Sequence, residues 1–164
     1  MLELKILGYV AMAMFLGGVV GFERELADKP AGMRTHMLVA GAAALLVLLG
    51  ELLVTHFGAE FGAAVIRTDP IRIIAAIVTG VAFLGAGTII RQGQHSVVKG
   101  LTTAADLLFT SAIGICVAVR EIILAVGVTV LALATLRLVG AVEVRLRRRA
   151  GLRQPGSGNP DEDQ

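Results

Sequence analysis

At 164 residues, 55% hydrophobic and 17% charged with a net charge of +2, the chain departs from soluble domains, which carry about 25% charged residues. Its apolar residues fall in blocks of about 17–20, the length that crosses ~30 Å of hydrocarbon. The blocks are apolar all round rather than striped, which excludes a soluble helical bundle. The fold class is therefore an all-α integral membrane protein, a bundle of about five transmembrane helices.

The first helix is expected over residues 4–22. A signal peptide has a shorter apolar core and a small-residue cleavage site, whereas this block ends in Gly21-Phe22-Glu23-Arg24-Glu25, so it reads as a retained helix. Ala13, Gly17 and Gly21 recur every fourth position. Small residues so placed let a neighbouring backbone approach, either within the bundle, which is the preferred reading, or across a homodimer seam. Residues 21–36 are the long charged run before the C-terminal tail and read as a loop at the membrane surface. Arg24/Asp28 and Glu25/Lys29 are spaced to pair on a helical face, before Pro30 and Gly32 break the helix.

The second helix starts near Arg34 or Thr35 and runs to about residue 54, with Glu51 near its far end. The connection over residues 56–68 carries no pattern. Asp69-Pro70 reads as a helix start, Asp69 as N-cap and Pro70 at the first helical position, for a third helix over residues 71–90. Gly80, Gly85 and Gly87 near its end each cost about 1 kcal/mol in a helix interior, so they imply tight packing or a locally opened backbone. Residues 91–100 read as a polar loop.

The fourth helix runs to about residue 119. Thr103 and Asp106 fit a capping box at its start, hydroxyl to the N3 amide and carboxylate back to the cap amide. Cys116 is a packing residue, since a single cysteine forms neither an internal disulfide nor a metal signature. Arg120-Glu121 is a short turn, and a fifth helix runs from residue 122 to about 142. The arginine-rich stretch from Arg145 to Arg149 suits anionic lipid headgroups. The chain thus divides into a membrane domain, residues 1–150, and a tail, residues 151–164, with the composition of a disordered end.

With five helices, one side carries Arg24, Lys29, Arg34, Arg91, Lys99 and five tail arginines; the other carries Lys5, Arg67, Arg72 and Arg120. Ten basic residues against four put the charged run and the tail in the cytoplasm and the N-terminus outside. Four helices would reverse the N-terminus. The chain has no Trp and one Tyr, so its aromatic belt is thin.

No nucleophile–His–acid arrangement, metal-ligand spacing or phosphate loop occurs, and the chain reads as no enzyme. His36, His56 and His95 lie in or beside three different connections and read as solvated. The basic tail lacks interleaved aromatics, so lipid attraction explains it better than nucleic acid. The polar residues at helix ends are the functional candidates: Glu23, Arg24, Glu25, Arg34, Thr35, Asp69, Arg72, Thr102, Thr103 and Asp106. Ionisable groups beside spanning helices mark ion paths or buried pairs. Capping is the first reading of Asp69 and Asp106. The sharper one is a cytoplasmic vestibule where the charged run meets the fourth helix, with oxygen groups able to hold Mg²⁺ or its water shell. No cofactor is expected beyond Mg²⁺ as a ligand. Asp69 and Arg72 fall on the opposite side.

Gly21-Phe22-Glu23-Arg24-Glu25 followed by Pro30-Ala31-Gly32-Met33-Arg34-Thr35-His36 resembles the first signature of the MgtC/SapB membrane proteins. Asp69-Pro70-Ile71-Arg72, the stretch from Gly80 to Ile90, and Gly100-Leu101-Thr102-Thr103-Ala104-Ala105 are similar to its later signatures, in the same order. The resemblance implies a bacterial inner-membrane protein of about five helices linked to magnesium limitation. For the best-known members it implies survival inside host cells and restraint of the ATP synthase. It implies no established transport reaction. Asp106 and Leu108 stand where the family more usually has a small or hydroxyl residue and a Trp. Longer members carry a soluble C-terminal domain of ACT-like type, so regulation through it is expected to be absent or supplied by another chain. Two functions follow: a regulatory membrane protein acting through a membrane-protein partner or homodimer contacts, which is preferred, and a transporter or channel for Mg²⁺ or another cation.

Overall fold

A computed structural model of the protein describes residues 1–61, 69–92 and 97–149, without the side chains of 58–61, 90–98 and 139–149. In chain order the elements are α1 (Leu2–Leu26), α2 (Met33–Phe61), α3 (Pro70–Thr88), β1 (Ile90–Gln92), β2 (Val97–Lys99), α4 (Leu101–Ala118) and α5 (Ile122–Arg149). The chain is an all-α membrane protein with five helices among the described residues. Four are long and apolar enough to cross a membrane: Leu2–Leu26, Met33–Phe57, Pro70–Thr88 and Leu101–Ala118. The described apolar stretch of α5, Ile122–Leu138, is shorter. Two compact units divide at residue 132: Met1–Ala132 holds α1 to α4 and the start of α5, and in Leu133–Gln164 the described residues continue α5. The Arg145–Arg149 side chains and residues 151–164, assigned above to lipid contact and a disordered tail, lie outside the described residues, as does His95.

Backbone chemistry sets where the helices stop. α1 extends past the expected end at residue 22, because Glu23 to Leu26 keep helical geometry and the stop comes at Asp28. There φ is 52°, the Asp28 N–H donates to Glu25 O at 3.1 Å and the Lys29 N–H to Arg24 O at 3.0 Å. This is a Schellman closure with a left-handed residue after the helix. Only residues 27–32 are therefore a turn, and the expected Arg24/Asp28 and Glu25/Lys29 pairs do not form. Glu25 instead accepts the Met33 N–H at 2.9 Å and so caps α2.

α3 begins as expected, with Asp69 accepting the Ile71 N–H at 3.0 Å and Pro70 in the first turn. It ends at Thr88 rather than residue 90, since Ile89 is extended and Ile90 enters β1. The polar loop expected over residues 91–100 is partly an antiparallel ladder, Ile90 opposite Lys99 and Gln92 opposite Val97. Two β-branched pairs, Ile89-Ile90 and Val97-Val98, favour extended backbone there.

α2 is the central helix of the first unit. Gly17 and Gly21 let α1 lie directly on it: a Cβ at Gly17 would sit 2.6 Å from His36 O, and one at Gly21 2.7 Å from Met33 Cα. Ala13 is fully buried in the same seam. On another side Gly114 of α4 meets the Ala40 carbonyl. α3 leans on α4, where a Cβ at Gly85 would be 3.1 Å from Ala104 Cβ, and meets α2 sparsely. Gly80 and Gly87, expected to mark tight packing, face open space. A Cβ at either would meet no atom within 4 Å, and Gly80 lines the open space between α3 and α2.

Candidate functional site

The capping box expected at Thr103 and Asp106 does not form. α4 starts one turn earlier, with left-handed Gly100 as N-cap and no side chain capping it. The Ala104 N–H donates to Gly100 O at 2.9 Å. A Cβ at Gly100 would overlap the Thr88 carbonyl, so only glycine fits that junction. Thr103 and Asp106 thereby fall inside the helix, on its buried face, while Thr102 turns outward.

This placement frees the Asp106 carboxylate to face α1. Arg24, in the last turn of α1, reaches it: Nε lies 2.9 Å from Oδ2, with the two side chains 6% and 11% exposed. The N–H is not aligned on that oxygen, so the contact is an ion pair rather than a directed hydrogen bond. Glu23 completes the cluster, its Oε2 3.8 Å from Arg24 Nη1. Two carboxylates thus share one guanidinium between α1 and α4. Burying them separately would cost several kcal/mol each.

His36 and Thr110 extend the polar region along the helix interfaces. His36 is fully buried, contrary to its expected solvation, because Gly17 and Gly21 bring the first turns of α2 against α1. Its Nδ1 lies 2.9 Å from Gly32 O. A carbonyl only accepts, so Nδ1 carries the proton. Nε2 is buried without a hydrogen-bond partner, as is Thr110 Oγ1. His36 and Thr110 each precede the Ala40–Gly114 contact by one helical turn, on the side towards Arg24 and Asp106. Ser111 is also buried, but its hydroxyl donates to Leu108 O at 2.7 Å. Thr110 had a sequence signal, four residues after Asp106 and so on the same face. His36 had none beyond its closeness to Gly32.

The other candidates lie elsewhere. Glu25, Arg34 and Thr35 are exposed around the α1–α2 turn. Asp69 and Arg72 sit at the start of α3, beside Gly50 and Leu53 near the far end of α2. Glu51 pairs there with Arg120, Nη2 to Oε1 at 3.0 Å.

The donor set at the cluster does not suit a hard dication. Such an ion takes about six oxygen ligands, and here the two carboxylates are already turned onto one guanidinium. Among the described residues no group of three His, Cys, Asp or Glu is placed to hold a metal. What the cluster does is lock the ends of α1 and α4 together.

Comparisons with known proteins match the sequence to one family. The sequence model of the MgtC family covers residues 10–145. A Haemophilus influenzae protein is 34% identical over 152 residues, 93% of this chain and 63% of its own length. The Escherichia coli protein called "Putative magnesium transporter YhiD" is 40% identical over 106 residues, 65% of this chain and 47% of its own. "Protein SapB" of Bacillus subtilis is 36% identical over 106 residues, 65% of this chain and 44% of its own. The chain therefore spans about half to three fifths of the length of these relatives. No solved structure matches it.

Proposed function

Because the chain belongs to the MgtC family, we propose that it serves a bacterial inner membrane as a non-enzymatic regulatory protein tied to magnesium limitation, acting by contact with a membrane-protein partner such as the ATP synthase. The observation that carries this reading is the Glu23–Arg24–Asp106 cluster. Its Arg24–Asp106 pair joins α1 to α4 and Glu23 lies beside it, whereas a cation path needs unpaired polar groups through the depth of the membrane. Large apolar side chains such as Leu38, Phe83 and Ile123 face outward, a surface suited to lipid and to other spanning helices.

A second reading, transport of Mg²⁺ or another cation, is favoured by the name of the E. coli relative and by the unpartnered His36 Nε2 and Thr110 Oγ1. Reconstitution separates the two. Under the regulatory reading, purified protein in vesicles gives no Mg²⁺ flux above empty vesicles, and cross-linking in native membranes captures a discrete protein partner. Flux abolished in Asp106→Asn reverses the conclusion.

The charged turn and the C-terminal side face the cytoplasm in this proposal, with the N-terminus outside. Single cysteines in a Cys116→Ala background test it: an impermeant thiol reagent applied to intact cells is expected to label a cysteine at Lys5 and spare one at Lys29.

A further inference from the structure

α2 and α3 diverge to leave an open groove of about 980 Å³. Val39, Ala43, Ile77 and Val81 form its buried floor and belong to the hydrophobic core. Leu38, Leu46 and Leu53 on one side and Leu84 on the other are its exposed walls. From Leu38 to Leu53 the α2 wall runs about 22 Å at ~1.5 Å per residue. One leaflet of a ~30 Å hydrocarbon core is about 15 Å deep, so the groove takes a whole acyl chain.

Charge marks only one end. Among the residues lining the groove, Asp69 and Arg72 alone are ionisable, and both sit at the α3 start. That is a helix end, where the membrane surface lies. Arg72 is exposed and has no ion-pair partner among the described residues. Asp69 uses Oδ1 in capping Ile71, which leaves Oδ2 free to accept. One cation and one anion, three residues apart at the mouth of an apolar slot, complement a headgroup that carries both signs. A purely anionic headgroup would meet the Asp69 charge, and an apolar second helix would offer neither charge a partner.

We propose that this groove is a phospholipid site for a zwitterionic aminophospholipid, its acyl chain between α2 and α3, its phosphate on Arg72 and its ammonium on Asp69. The assignment is independent of whether the protein regulates a partner or moves an ion.

The test is retention of lipid by the full chain, purified in mild detergent and exchanged against vesicles of equal phosphatidylethanolamine and phosphatidylglycerol, with bound lipid counted by mass spectrometry. About one phosphatidylethanolamine per chain is expected, several-fold over phosphatidylglycerol. Gly80 lines the groove, and a Cβ there meets nothing within 4 Å. Gly80→Phe thus projects a ring into the slot from a position where its Cβ meets no neighbour, and retention is expected to fall at least several-fold. Gly87→Phe, in equally open space outside the groove, is expected to leave it unchanged. Arg72→Gln should lose both lipids. Asp69→Asn keeps a capping side chain and should turn the preference towards phosphatidylglycerol. Retention unaffected by Gly80→Phe and Arg72→Gln, or phosphatidylglycerol preferred by the unaltered chain, overturns the assignment. So does efficient cross-linking between copies through a Leu46→Cys variant, since a second copy would then fill the slot.

Discussion

The two sides of α2 use the same small residues to opposite ends. Towards α1 and α4, glycines remove side chains so that backbone meets backbone: Gly17 against His36 O, Gly114 against Ala40 O. Towards α3 the contact is made by side chains, Ile73 over Gly50 and Ile77 and Val81 in the core with Val39 and Ala43, while Gly80 looks onto empty space. Charge follows the packing. On the closed side Arg24 is enclosed with Glu23 and Asp106; on the open side Asp69 and Arg72 stay at the rim. A glycine therefore marks a close approach only where a neighbouring helix arrives, and an ionic group goes inside only where its counter-charge goes with it. One face of α2 carries the close backbone contacts, and the other lines the open groove.

The hardest blow to this division is Arg24→Met. It leaves two carboxylates buried without a cation, a change that costs about 3–5 kcal/mol when one partner of a buried pair is removed. A large drop in thermal unfolding temperature in detergent is expected. Asp106→Asn should cost clearly less, because Arg24 retains Glu23. Arg72→Met, at the open rim, should leave unfolding almost unchanged. Equal losses at Arg24 and Arg72 would erase the distinction between the two sides.

Next in size is a pair of identical substitutions. Gly114→Ala drives a methyl group into the Ala40 carbonyl and is expected to cost about 1–3 kcal/mol, as overpacking does. Gly80→Ala meets nothing and should instead stabilise α3 by up to about 1 kcal/mol through helix propensity. The opposite signs, read from unfolding in detergent, sharpen the comparison more than either value alone.

That pair also shows what the sequence could and could not disclose. The helices were legible because lipid demands about 20 apolar residues per crossing, and the start of α3 because Asp-Pro has one strong local use. Spacing marked Gly17 and Gly21, but could not tell Gly85, which meets α4, from Gly80 and Gly87, which meet nothing. That difference lies in the neighbour, not in the glycine. The capping reading of Asp106 fails for a related reason. Thr103 and Asp106 have capping-box spacing, yet Gly100 ends the preceding strand in a left-handed turn and starts α4 a turn early. With the cap moved, the carboxylate faces Arg24, a partner some eighty residues away that no local pattern announces. The burial of His36 follows from the same non-local contacts.

The smallest effect is expected at Arg120, where two minor terms oppose each other. Arg120 occupies the left-handed position after α4, with φ of 69°. Its N–H donates to Val117 O and that of Glu121 to Cys116 O, each at 3.0 Å. A non-glycine residue there costs roughly 1 kcal/mol, which glycine would relieve at some cost in unfolded-chain entropy. Against this stands the pair with Glu51, whose side chains are 57% and 52% exposed. A pair so exposed contributes about 0–1 kcal/mol and is screened by salt. Arg120→Ala is therefore expected to destabilise slightly at low salt and to match the unaltered chain near 1 M salt, where the screening length falls to about 3 Å. Arg120→Gly should stay within about 0.5 kcal/mol of the unaltered chain at low salt and exceed Arg120→Ala at every salt concentration, because relief of the left-handed backbone does not depend on screening. If Arg120→Gly were instead as damaging as Arg24→Met, the Glu51–Arg120 contact would belong with the closed side of α2, and exposure would no longer separate the charges that hold the helices from those that do not.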